Sequence, residues 1–143
     1  FILSKDAAAL CPFPAIAGET TLNVPGFTRL PGWDIEASVL SPSEYGEEKG
    51  GNFSACFDFD RAGSGLIVRS RRPGDRFQPL GMKQPKKLNE FMIDARIPQQ
   101  WRRRVPVVAL PERIIWVVGY RIDDRARVTS ATSKVLRLIF KQT

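Results

Sequence analysis

Between Arg69 and Arg104 the chain carries eleven lysines and arginines against Asp75, Glu90 and Asp94, a local charge of +8. Guanidinium groups offer paired N–H donors that match phosphate, and lysine adds a point charge, so this density of cations suits an anionic polymer. The whole chain carries +7, with residues 1–68 at −5 and residues 105–143 at +4. Charge is therefore concentrated in one segment, and three local acids are too few to neutralise it, which favours nucleic-acid binding over a plain solvated face.

Other chemistry is scarce. There is no histidine, which removes the commonest general base and excludes Ser/His/Asp and Cys/His nucleophile systems. No Walker-type phosphate loop and no G-x-G-x-x-G occurs, so nucleotide hydrolysis and dinucleotide redox chemistry lack a scaffold in these residues. Cys11 and Cys56 are too few and too far apart for a zinc site and read as small hydrophobes in a reducing compartment. Asp58 and Asp60 read as solvated carboxylates at the outer side of a strand end rather than as a metal-binding pair. Asp123 and Asp124 are conceivable acid/base groups, as is Asp75, but Asp75 is expected to accept from turn amides or to pair with Arg72 or Arg76. No catalytic residue, metal or cofactor is expected in this chain.

The basic residues need elements to aim them. Leu66–Ser70 reads as a strand on which Arg69 and Arg71 should share a face, and it runs into Arg72-Pro73-Gly74-Asp75. Pro73 suits the second position of a type II turn and Gly74 the positive φ of the third, so this turn should orient Arg72 and Arg76. Between Pro85 and Arg96 the residues Leu88, Phe91, Met92 and Ala95 fall at i, i+3, i+4 and i+7, which predicts a short amphipathic helix opened by Lys86 and Lys87 and stopped by Pro98. Ile93 falls off that stripe. A second short helix is expected over Pro98–Arg104, with Trp101 as its buried anchor.

Strands are predicted on both sides of this insert. Thr20–Val24 and Trp33–Leu40 come first, separated by Pro25-Gly26 and Pro31-Gly32, and a surface loop over Ser41–Asn52 leads to Phe53–Phe59, whose alternation points three aromatic rings inward. A loop at Gly63-Ser64-Gly65 precedes the basic segment. After it come Val105–Leu110, Arg113–Val118, a basic hairpin-like region from Gly119 through Arg127, and Lys134–Lys141. The fold class is α+β, mostly antiparallel strands in a sandwich or barrel with a short helical insert.

A length of 143 residues suits one domain spanning 1–143. No apolar run reaches the roughly 20 residues of a membrane-spanning helix, and no membrane partner is expected. Phe1 stands first and Phe1–Leu10 lacks the pattern of a signal peptide, so the chain reads as a cytoplasmic piece of something longer.

The ordered run Val68-Arg69-Ser70-Arg71-Arg72-Pro73-Gly74-Asp75-Arg76-Phe77, Pro79-Leu80-Gly81-Met82, Lys86-Lys87-Leu88, Phe91-Met92-Ile93-Asp94, Ile97-Pro98, Arg102 and Ile115–Asp123 resembles the C-terminal domain of bacterial tRNA(Ile)-lysidine synthetase. The resemblance covers residues 66–130; residues 1–60 match by type of pattern, including Pro25-Gly26 before a strand beginning at Trp33. It implies a fold shared with a tRNA-binding domain of the phenylalanyl-tRNA synthetase β subunit. It also implies a parent ligase that uses ATP to join lysine to C2 of the wobble cytidine of tRNA(Ile) with a CAU anticodon. The family's catalytic N-terminal domain carries a Ser-Gly-Gly-x-Asp-Ser loop that does not occur here, so this piece is expected to hold tRNA and not to catalyse.

Carried over position by position, the resemblance implies tRNA-backbone contacts from Arg69, Arg71, Arg72, Arg76, Lys86, Lys87, Arg102, Arg121 and Arg125. Pro73, Gly74, Asp75 and Gly81 are then turn-forming positions. The alternative is an interdomain or homodimerisation module without RNA contact, in which Phe91, Met92, Ile93 and Trp101 pack on the catalytic domain or a second subunit.

Overall fold

The computed structural model describes residues 14, 16, 18–45, 53–63 and 65–143. Cys11, Ser64 and the loop residues 46–52 lie outside the described residues, as does any pairing between Cys11 and Cys56. Every strand pairing is antiparallel among the described residues.

One sheet is built from β2 (Gly26–Leu30), β3 (Trp33–Leu40), β11 (Val135–Gln142) and β4 (Ser54–Asp58), in that order. Pro31-Gly32 forms the two-residue link between β2 and β3, where Leu30 faces Trp33. The other sheet runs β1 (Glu19–Thr21), β5 (Ile67–Arg69), β8 (Val107–Leu110), β9 (Arg113–Val117), β10 (Arg121–Ile122). The two inner faces meet through aromatic rings: Trp116 of β9 stacks edge-on with Phe140 of β11 at 5.3 Å and with Phe57 of β4 at 5.9 Å. Such T-shaped pairs put a positive ring edge on a negative ring face and fix the distance between the sheets.

The expected alternation holds where one face is solvated. On β3 the residues Trp33, Ile35 and Ala37 are buried while Asp34, Glu36 and Ser38 are half-exposed, and on β11 Leu136, Leu138 and Phe140 are buried. β9 instead has Ile114 through Val117 all buried, because β6 (Arg76–Phe77) and the 3-10 turn Asp124–Ala126 also pack against it. Both faces covered means a continuous apolar run.

The strand expected over Phe53–Phe59 ends at Asp58, and Phe59–Ala62 is a short helix, α2, following the single-turn helix α1 at Pro42–Tyr45. Phe57 is fully buried, whereas Phe53 and Phe59 pack on the core only in part. Asp58 is not a solvated carboxylate: it is 8% exposed, accepts from the Asp60 amide at 3.0 Å to cap α2, and accepts from the Thr132 hydroxyl at 2.9 Å. A buried carboxylate with a cap and a hydroxyl to satisfy is a structural tie. Asp60 is exposed. Cys56 sits half-buried on β4.

The insert differs from its expected form at both ends. Lys86–Lys87 is strand β7, paired with β6, and the helix α3 begins after it, at Leu88–Asp94. Pairing with β6 satisfies backbone groups that an extra helical turn would have left at the surface. The apolar stripe is as predicted, with Leu88, Phe91 and Met92 buried and Ala95 half-buried, and Ile93 off the stripe is 51% exposed. The helix stops before Pro98: Arg96 takes φ +59°, its amide bonds the Ile93 carbonyl, and the Ile97 amide reaches back to Met92. This is a Schellman closure with arginine where glycine is usual. Beyond it only Gln99–Trp101 is helical, as a 3-10 turn, with Trp101 partly buried against the core.

Candidate nucleic-acid interface

The basic site is organised by one carboxylate. Asp75 closes the turn that begins at Arg72, where the Asp75 amide bonds the Arg72 carbonyl at 3.2 Å and Gly74 has φ +84°. Its Oδ2 accepts from the Arg72 amide at 2.7 Å. Its two oxygens also accept from both Nη nitrogens of Arg69, at 2.9 and 3.0 Å, and its carbonyl accepts from the Leu88 amide at 2.8 Å, which ties the turn to α3.

Arg69 therefore does not share an outward face with Arg71. It is 8% exposed, and its guanidinium points inward to Asp75 and to the Ser70 carbonyl, since a charge at the buried end of β5 persists only with a paired, hydrogen-bonded partner. The side-chain partner of Asp75 is accordingly Arg69 rather than Arg72 or Arg76.

Around this hub the outward cations form a concavity. Arg71, Arg72, Lys87 and Arg103 line a cavity of about 590 Å³ floored by Pro73, Gly74, Leu88 and Asn89. Arg71 is aimed by a 3.0 Å bond from Nη1 to Asn89 on α3, and Arg72 ion-pairs with Glu19 on β1. Lys87 and Arg103 are exposed and form no ion pair among the described residues, and the same is true of Arg76, which faces Lys87 across the β6–β7 ribbon. Arg103 is a member of this site that the sequence reading did not single out. The signal was the run Arg102-Arg103-Arg104 after a helical turn, but nothing in the run tells which arginine points outward.

The remaining expected contacts fall elsewhere. Arg102 is half-buried and turns its Nε to the Ile97 carbonyl at 3.1 Å. Lys86, next to Lys87 on a strand, projects to the opposite side and pairs with Asp94 at 2.6 Å. Arg121 is exposed and stands over the Phe91 ring, 5.8 Å from its centroid. Arg125 grips Asp123, whose carboxylate is fully buried and also accepts from the Gln78 and Arg125 amides. Hydrogen bonding to Asp123 holds the Arg125 pKa above its ordinary value, against some desolvation. Asp124 accepts from the Gly81 amide and from Arg127, and Gly81, at φ +89°, makes the turn that allows it. Asp123 and Asp124 thus brace the segment Gln78–Gly81. Among the described residues no group of three or more Cys, Asp or Glu could hold a metal ion.

Residues 66–139, from the edge of β5 to the middle of β11, match the family model described as the TilS substrate C-terminal domain. The chain belongs to this family. It is 44% identical over 142 residues to the tRNA(Ile)-lysidine synthase of Dehalococcoides mccartyi, covering 99% of this chain and 30% of that protein. The fold matches a crystal structure of a TilS C-terminal domain with a TM-score of 0.73 and 30% identity, over 88% of this chain and 97% of that one. It also matches an N-terminal fragment of the Pyrococcus horikoshii phenylalanyl-tRNA synthetase β subunit with a TM-score of 0.51, 19% identity, and coverage of 61% and 27%. At that identity the second likeness concerns the fold alone. The α+β, antiparallel architecture expected from the sequence is thus that of the TilS C-terminal domain, and the cavity of Arg71, Arg72, Lys87 and Arg103 lies inside the segment matched by the TilS model.

Proposed function

We propose that this chain is the tRNA-holding portion of a cytoplasmic tRNA(Ile)-lysidine synthase and works as one unit from residue 1 to 143. The chain spans about 30% of the length of its D. mccartyi relative. In this reading the remaining length uses ATP and lysine to modify tRNA(Ile) with a CAU anticodon, while the present residues bind and orient the RNA.

The observation that carries the reading is the concave group Arg71, Arg72, Lys87 and Arg103, in which the one lining carboxylate, Asp75, is already engaged by Arg69. Among the described residues three of the four cations are free of carboxylates, so an incoming phosphate meets unneutralised charge on a braced turn. Recognition of this kind is led by backbone and shape, because an A-form helix hides its major-groove edges and displays phosphates and 2′-hydroxyls. Arg76 is an outlying contact, and Arg72 joins once Glu19 releases it.

The alternative of a dimerisation or interdomain surface built on Phe91, Met92, Ile93 and Trp101 has little to stand on. Phe91 and Met92 lie in this chain's own core, at 6% and 0% exposure, and Trp101 is partly buried against it, which leaves Ile93 as the exposed member.

A titration of the 143-residue chain with a tRNA(Ile) transcript at about 50 and 200 mM salt tests the reading. Three or four phosphate contacts predict that log Kd rises with log salt with a slope of about 2–4. A chain indifferent to tRNA at both concentrations would falsify it.

A further inference from the structure

We propose that a second subsite, built on Arg121 and Phe91, stacks a single unpaired nucleobase of the bound RNA. This rests on the reading that the chain binds RNA and adds to it a contact that phosphate cavities do not make.

The subsite lies on the other side of the β6–β7 ribbon from the phosphate cavity. Strand alternation sends the adjacent residues Lys87 and Lys86 to opposite faces, one into each concavity. The second concavity, of about 200 Å³, is lined by Lys86, Phe91, Asp94, Tyr120, Arg121 and the exposed Met82, among others. It is smaller than the roughly 300 Å³ at which pockets for drug-sized ligands begin.

Its chemistry differs from that of the first site. The Lys86 ammonium and the Asp94 carboxylate pair at 2.6 Å, so their charges cancel and the pair offers a phosphate no surplus cation. Arg121 is the remaining cation. Its guanidinium lies over the Phe91 ring at 5.8 Å and makes no hydrogen bond or ion pair among the described residues. The planar group is thus backed by an aromatic ring on a side chain that is exposed. Unpaired bases are held by stacking on such planes and on aromatic side chains, with hydrogen bonds to their edges. Asp94 supplies an acceptor for an exocyclic amine, and the Met82 thioether supplies an adaptable apolar wall. A base fits this combination better than a phosphate does.

The test compares two RNAs on the 143-residue chain: a blunt duplex, and the same duplex with a short single-stranded overhang, prepared at either the 3′ or the 5′ end and carrying 2-aminopurine. The expected result is about five- to tenfold tighter binding of an overhang RNA than of the blunt one, with quenching of 2-aminopurine. Arg121→Ala and Arg121→Lys should both bring that ratio to near one, because lysine keeps the charge but lacks the plane. Arg103→Ala should weaken both RNAs alike and leave the ratio standing. Equal binding of blunt and overhang RNAs by the unaltered chain overturns the subsite while leaving RNA binding intact, and so does an Arg121→Lys chain that keeps the ratio. A chain that binds neither RNA overturns RNA binding and the subsite together.

Discussion

Arg69 and Asp75 form a two-pronged ion pair, Nη1 to Oδ2 at 2.9 Å and Nη2 to Oδ1 at 3.0 Å, with side chains only 9% and 12% exposed. The pair joins the inner end of β5 to the turn that presents Arg71 and Arg72, so the order of the basic site depends on a cation that does not itself face outward. Asp75→Ala should cost about 3–5 kcal/mol, because it strands a buried guanidinium. Arg69→Leu combined with Asp75→Asn should recover a substantial part of that loss, since no unpaired charge remains inside. Urea unfolding of the unaltered chain and the two variants measures both effects, and a loss below about 1 kcal/mol for Asp75→Ala would contradict the burial of the pair.

Glu19 acts as an internal counterion for Arg72. Both side chains are about half exposed, at 52% and 54%, and an exposed pair contributes about 0–1 kcal/mol to stability. Glu19→Gln is therefore expected to leave the urea midpoint nearly unchanged and to tighten tRNA binding by about two- to fivefold, with a steeper salt dependence as Arg72 becomes available. Weaker binding in Glu19→Gln would mean that the ion pair holds Arg72 in its working position.

Arg71 and Arg103 line the same cavity from different elements, the turn after β5 and the segment after the 3-10 turn. Replacing either by alanine should weaken tRNA binding and lower the salt slope by about one, and replacing both should lower it by about two. Neither change touches the core, so thermal midpoints should stay within a few degrees. Filter binding over a salt series gives the slopes.

Arg96 closes α3 at φ +59°, a conformation that costs a side-chain-bearing residue about 1–2 kcal/mol relative to glycine. Arg96→Gly is expected to raise stability by about 1 kcal/mol while preserving the bonds of the closure. The urea midpoint checks the sign, and a destabilised Arg96→Gly would show that the arginine side chain contributes more than its backbone conformation costs.

The sequence told most about elements whose pattern and packing agree. The alternation of Trp33, Ile35 and Ala37, the stripe of Leu88, Phe91 and Met92, and the Pro-Gly turn at Arg72–Asp75 each follow from local rules, and the fold has them all. Local rules fail where a distant partner decides. Arg69 turns inward because Asp75, six residues on, offers two oxygens at the right place; Asp58 is buried because Thr132 reaches it from the far end of the chain; and Lys86–Lys87 is extended because Arg76–Phe77 lies alongside. The basic site was legible as a segment but not as a set. Which of Arg102, Arg103 and Arg104 points outward depends on the Arg102 contact with the Ile97 carbonyl, which no spacing encodes.

The position of β11 between β3 and β4 has a consequence for assembly. Both neighbours are synthesised before it, and Leu138 must find Ala37 and Ala55, each more than eighty residues upstream. Until β11 arrives, two strands carry open hydrogen-bonding edges and Trp33 and Phe57 lack the Phe140 and Leu136 side of their core. Such long-range pairing is slow and leaves a sticky intermediate. A protein trimmed to residues 66–139 would keep the residues of the basic cavity and lose both flanks of β11, so its most aggregation-prone strand would be the one left without a seat.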